Sequence, residues 1–133
     1  MNDRRPIAAA IVHNNGKVLL IERRVPEGPL LWAFVSGEIE DGESPSLAAQ
    51  REVLEEVGLL VVAGEVIGSR IHPYTKREMT YVACAQIDGV RDTEVLDTND
   101  IASFRWCSYD EMEDLTGGGV YEPVREYLRT LLH

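Results

Sequence analysis

Residues 37–59 read GEIEDGESPSLAAQREVLEEVGL, and the fold turns on them. The stretch opens in a loop of Gly, Glu and Asp that runs from Ser36 to Glu43. Ser44-Pro45 then starts a helix, because a serine hydroxyl can take up the first free N–H groups and proline suits the first helical position. Gly58 stops it. Between these signals Leu47, Val53, Leu54 and Val57 are expected to face the core, with Glu52, Glu55 and Glu56 on the other side. At ~100° per residue the three glutamates fall within an arc of roughly 100°. They repel one another and approach the helix C-terminus, where the macrodipole disfavours anions. Arg51 can pair with Glu55, but one arginine does not neutralise three acids. A hard divalent cation can, since carboxylate oxygens suit Mg²⁺. Glu38, Glu40, Asp41 and Glu43 add acids just upstream. Ala48 and Ala49 are expected toward the acidic face, small enough to let a loop or ligand approach. Spacing alone leaves a metal site and a solvated acidic face as open alternatives.

Working outward, Ile7 to Val12 is a nearly continuous apolar run, which fits a strand buried on both faces. Asn14-Asn15-Gly16-Lys17 is a turn signal, and Val18 to Glu22 its hairpin partner. A loop from Pro26 to Pro29 precedes a strand from Leu30 to Val35. Leu59 to Ile71 and Met79 to Ile87 are β-rich stretches joined by Tyr74-Thr75-Lys76-Arg77, and Phe104 to Ser108 is a further strand. Asp110 to Leu115 reads as a short helix. Glu122 to Leu132 reads as a longer one, with Val124, Tyr127, Leu128, Leu131 and Leu132 at helical spacing. Several strands, a central helix and a terminal helix suggest a mixed sheet with helices packed on it, in the α/β class.

The chain has 133 residues, which suits one core of ordinary size. A net charge of −10 disfavours an electrostatic grip on a nucleic acid polymer or an anionic membrane. No run approaches the ~20 apolar residues of a membrane span, and the stretch after Arg4 and Arg5 is too short for a signal-peptide core. Cys84 and Cys107 lack metal-site spacing and read as two reduced, buried thiols of a cytoplasmic protein.

The pattern in residues 37–59 is G-x5-E-x7-R-E-U-x-E-E-x-G-U, with U a bulky aliphatic residue. It resembles the Nudix box at every defined position, and the order of elements around it is similar to the Nudix fold over most of the chain. The resemblance implies an α/β/α sandwich around a mixed sheet, as a single Nudix hydrolase domain over residues 1–133. It implies hydrolysis of a nucleoside diphosphate linked to X, with Mg²⁺, or Mn²⁺, as cofactor. Glu52, Glu55 and Glu56 fall on the metal-binding catalytic positions, and Glu52 is also a candidate general base. Arg51 falls on the position that orients these glutamates, and Glu43 on the loop glutamate that supports the box. Gly37 is expected to allow a tight loop-to-helix geometry, and Gly58 closes the box. A backbone carbonyl at Ser36 or Gly37 is expected in the metal shell; many members carry Gly where this chain has Ser36.

Outside the box, the chain is most similar to MutT-type nucleoside triphosphate pyrophosphohydrolases, which release a nucleoside monophosphate and pyrophosphate. ADP-ribose or nucleotide-sugar cleavage, and a nucleotide-binding module without catalysis, are the alternatives. Arg23 and Arg24 are candidate phosphate contacts or an exposed basic pair at a strand end. Asp100 is a candidate further metal ligand or base, or a plain turn acid. Trp32 and Phe34 are candidate base-stacking groups or core aromatics. Tyr121 stands where MutT-type enzymes that discriminate oxidised guanine commonly carry Asn, so 8-oxo-dGTP specificity is not expected to carry over. His72 and Pro73 read as turn and packing residues, and Gly117-Gly118-Gly119 as a link rather than a phosphate cradle. A monomer and a homodimer are both compatible with the resemblance.

Overall fold

Asn15 and Gly16 take positive φ values of 51° and 76°, which closes the chain's first tight turn. Two strands leave it, β1 (Ile7–Asn14) and β2 (Lys17–Glu27), paired at His13↔Val18 and Asn14↔Lys17. One extended run of chain then lies against both. Its first part, β3 (Leu30–Ala33), pairs antiparallel with β2; past Phe34, β4 (Val35–Glu38) pairs antiparallel with β1. After α1 (Pro45–Val57) come β5 (Val61–Ile71), β6 (Glu78–Gln86), β7 (Ile101–Cys107), α2 (Tyr109–Leu115) and α3 (Glu122–Arg129). β6 runs parallel to β1, from Ile7↔Met79 to His13↔Ala85, while β5 pairs antiparallel with β6 and β7 with β2. The sheet is therefore mixed, as expected. This computed structural model describes residues 4–87 and 92–132, apart from the side chain of Glu27.

The apolar run of β1 feeds two cores. Ala8, Ala10 and Val12 pack with Val53, Val57 and Leu59 beneath α1. Ala9 and Ile11 pack with Met112, Val124 and Leu128 beneath α2 and α3. Helices thus cover both faces of the sheet, the layering of an α/β fold.

Four expectations are corrected. Ser36, Gly37 and Glu38 belong to strand β4, not to a loop, because β1 supplies a partner for any backbone laid beside it. Strand β2 runs to Glu27, into the expected Pro26–Pro29 loop. Helix α3 ends at Arg129, short of Leu132. The buried face of α1 is Ala48, Ala49, Val53 and Val57, whereas Leu47 and Leu54 are 56% and 38% exposed. Ala48 thus leads into the Glu52–Glu56 row at i+4, so the acids flank the packed face rather than oppose it. Small alanines bring α1 down onto the sheet and carry that row inward with it.

The caps of α1 follow the sequence. Ser44 Oγ accepts from the Leu47 N–H at 3.1 Å, and Gly58 takes φ 73° at the C-terminus. The Leu96 and Glu94 N–H groups donate to the carbonyls of Glu56 and Val57, at 2.9 and 3.1 Å. These donors offset the dipole that the acidic last turn would otherwise face unaided.

Candidate active site

Arg51 is the hub of the site. Its Nε and Nη2 donate to the two carboxylate oxygens of Glu43, at 2.8 and 3.0 Å. Nη2 also donates to the Glu38 carbonyl, and Nη1 to Glu52 Oε1 at 2.8 Å and Glu55 Oε2 at 3.2 Å. Glu43 is anchored in turn by the Glu40 N–H at 3.0 Å. These bonds, the Arg51 fork above all, hold the Glu43 carboxyl down at about 2. Its negative charge, with that of Glu52, raises Arg51 further above its ordinary value.

Glu52 and Glu56 stand one turn apart, and both are raised above the ordinary carboxylate value. Burial is the main cause for each. Glu56 is pushed up to about 9, with the charges of Glu52 and Asp97 adding to burial and Arg23 opposing it. Glu56 Oε2 is buried with no hydrogen-bond partner among the described residues. Gly37 explains how Glu52 fits: a Cβ on Gly37 would lie 2.1 Å from Glu52 Cδ. The reason for glycine is therefore the carboxylate above it, not the tight loop-to-helix geometry expected from the box.

The three box glutamates divide between two cavities. Glu56 lines a cavity of about 480 Å³, together with Arg23, Ser36, Gly37, Trp32 and Tyr121 among others. Glu52 and Glu55 line an adjoining acidic cleft with Glu38, Glu40 and Asp41. Among the described residues no three carboxylates converge on one point, because Arg51 Nη1 stands between Glu52 and Glu55.

The expected substrate contacts separate in the same way. Half-buried Arg23 lies close enough to Glu56 to act on its ionisation, whereas exposed Arg24 is tied to the 98–100 turn, its Nε on the Thr98 carbonyl at 2.5 Å. Trp32 and Phe34 line the Glu56 cavity and also pack against the core beneath α2 and α3. Asp100 sits exposed on the cavity's edge, with its carbonyl accepting from the Arg24 N–H at 2.9 Å. Asp97 is the acid of that turn whose charge reaches Glu56. Nothing in the spacing of Asp97-Thr98-Asn99-Asp100 marks it out. Arg70, which no local pattern in the sequence singles out either, enters the cavity from β5. His72 closes the 72–77 turn, its Nδ1 accepting from the Tyr74 and Thr75 N–H groups at 3.2 Å each.

A family profile described as "NUDIX domain" matches residues 3–128. The chain belongs to the NUDIX domain family. It is a Nudix hydrolase acting on nucleotide-like substrates. It is 29% identical over 106 residues to CTP pyrophosphohydrolase of Escherichia coli K12, covering 79% of this chain and 76% of that protein. It is also 29% identical over 126 residues to phosphatase NudJ of Escherichia coli, covering 90% and 80%. A NUDIX-family hydrolase structure from Clostridium perfringens superimposes with a TM-score of 0.75 at 16% identity, over 99% of this chain and 100% of that one.

Nudix hydrolases generally use divalent metal cations, and the donor set here fits one. The side-chain donors are hard carboxylate oxygens. Two of the carboxyls, on Glu52 and Glu56, are half-buried, and the charge of Glu52 disfavours that of Glu56. The buried Glu56 Oε2 has no protein partner to satisfy it. A divalent cation answers all three conditions.

Proposed function

We propose that this Nudix hydrolase cleaves a nucleoside triphosphate, ribo or deoxy, to the monophosphate and pyrophosphate, with Mg²⁺ as its cation. The observation that carries this reading is the pair Glu52 and Glu56. Two half-buried carboxyls, one with an orphaned oxygen, lie beside a cavity whose walls are aromatic and cationic. The similarity to CTP pyrophosphohydrolase supports the choice of a triphosphate.

Glu52, Glu55 and Glu56 would hold the cation, with a backbone carbonyl of Ser36 or Gly37 and with Asp97 or Asp100 as further oxygen donors. Bound there, the cation neutralises phosphate oxygens and lowers the pKa of a bound water. Arg51, itself fixed by the fork to Glu43, positions Glu52 and Glu55. Glu52 would accept the proton as the water oxygen bonds to phosphorus and the bridging P–O bond breaks. Arg23, beside Glu56, meets the negative charge of the phosphates. Trp32 and Phe34 supply apolar walls for the nucleoside. Rate in such a reaction comes mainly from positioning and charge stabilisation, which suits groups on a rigid helix and strand.

The test is a panel of ribo- and deoxynucleoside triphosphates, ADP-ribose and a nucleotide sugar, incubated with Mg²⁺ and followed by ³¹P NMR. Monophosphate and pyrophosphate from a triphosphate are expected. Cleavage confined to the diphosphate-linked sugars would overturn the substrate class, and tight binding without product would make the chain a nucleotide-binding module.

A further inference from the structure

Tyr121 opens α3 and lies against β5, where Gly68 makes room for it: a Cβ on Gly68 would sit 3.1 Å from Tyr121 Oη. The Tyr121 hydroxyl donates to the Ser69 carbonyl at 3.1 Å, so its donor is committed to the backbone. Its ring centroid lies 4.9 Å from that of Tyr81. The Arg70 guanidinium carbon lies 4.7 Å from the Tyr121 centroid and 5.7 Å from the Tyr81 centroid. Both distances lie within cation–π range, so Arg70 rests against both rings. Its Nε donates to Tyr81 Oη at 3.0 Å, which fixes the plane of the fork. Among the described residues Nη1 and Nη2 have no protein acceptor. Arg70 lines the same cavity as Glu56. A second arginine there, Arg77, is already committed to the Arg5 carbonyl and the Glu38 carboxylate.

The sheet places Arg70 at the end remote from the acids. Glu38, Ile7, Met79 and Arg70 form one row across β4, β1, β6 and β5. Three strand spacings separate the backbones of Glu38 and Arg70 by about 14 Å. Around Arg70 the walls are Met79, Tyr81 and Tyr121. Such a setting suits a planar ring rather than a phosphate.

We propose that Arg70, braced by Tyr121 and Tyr81, reads the nucleobase and selects a base that presents two adjacent acceptors. A guanidinium fork only donates. Cytosine offers N3 and O2, and guanine offers N7 and O6, as paired acceptors. Adenine and thymine break the pair with an N–H group, and so does 8-oxoguanine, whose N7 carries hydrogen. Tyr121 is then a positioning residue that aims Arg70. This rests on the nucleotide reading above.

The test combines kcat/KM for dCTP, dGTP, dATP, dTTP and 8-oxo-dGTP with calorimetric binding of the corresponding monophosphates. It is run on wild type, Arg70→Gln and Arg70→Lys. Wild type is expected to favour dCTP or dGTP by roughly 5- to 150-fold over dATP and dTTP, the value of one good bidentate pair. Arg70→Gln, whose amide both donates and accepts, is expected to move the preference toward adenine. Arg70→Lys keeps the charge and is expected to flatten the ranking. A uniform fall across all bases in Arg70→Gln would overturn the inference, as would dATP, dTTP or 8-oxo-dGTP as the best wild-type substrate. Base-selective monophosphate binding without turnover would leave the inference standing and defeat the hydrolytic reading. No binding and no turnover with any nucleotide would overturn both.

Discussion

At Gly37 a single hydrogen stands where any side chain would meet Glu52. The backbone there takes no left-handed conformation, so the requirement is space alone. Gly37→Ala is therefore expected to displace the Glu52 carboxylate while leaving β4 paired with β1. Displacements of about 1 Å in such groups cost about 100-fold in rate. Turnover is expected to fall by at least that much, with unchanged circular dichroism; near wild-type turnover would contradict the close approach. The spacing of Arg51, Glu52, Glu55 and Glu56 is visible in the linear sequence, because a helix turns separations of three and four into a common face. Asp97 and Arg70 are not visible in this way. They reach the site from the turn before β7 and from β5, and only the tertiary fold brings them there.

Elements were legible wherever local chemistry and tertiary packing agree. The Ser44 and Gly58 caps bound α1 as read, and the Asn15-Gly16 turn sets the β1–β2 hairpin. The Gly- and Glu-rich residues 36–38 have poor strand propensity, yet β1 pairs with them. The packed face of α1 was misjudged for a related reason. Hydrophobicity points to Leu47 and Leu54, whereas the sheet takes the smaller Ala48 and Ala49. Helix α2 shows the local code at its clearest, in a reciprocal cap between Ser108 and Glu111. Ser108→Ala is expected to cost about 0.5–2 kcal/mol in urea unfolding. The Ser108 N–H donates to Glu111 Oε1 at 2.9 Å and holds that carboxyl below the ordinary range. A carboxyl lowered by folding stabilises above its unfolded value and loses this contribution as pH falls through the folded one. The stability gap between wild type and Glu111→Ala is thus expected to be full at neutral pH and to narrow below about pH 4. A gap that widens on acidification would contradict the cap.

On the scale of the whole molecule, a net charge of −10 repels a polyphosphate. The chain answers this repulsion in two places. Carboxylates of α1 gather beside β4, where a divalent cation can reverse the local field, and Arg23, Arg70 and Arg77 enter the Glu56 cavity. The two cores around β1 hold these ends in register. Both cysteines lie within those cores. Burial pushes the Cys84 thiol up to about 11 and raises Cys107 as well. Neither is expected to react with an aromatic disulfide reagent at neutral pH until urea unfolds the protein. Rapid labelling of the native protein would show that a core is open.

The assignment of Glu52, Glu55 and Glu56 as the holders of the cation is tested most directly by calorimetric titration with Mn²⁺ alone. Wild type is compared with Glu56→Gln, each shown to be folded by circular dichroism. Saturable binding to wild type is expected, weakened at least tenfold in Glu56→Gln. Equal affinity in the two proteins, or no binding to wild type, would contradict it.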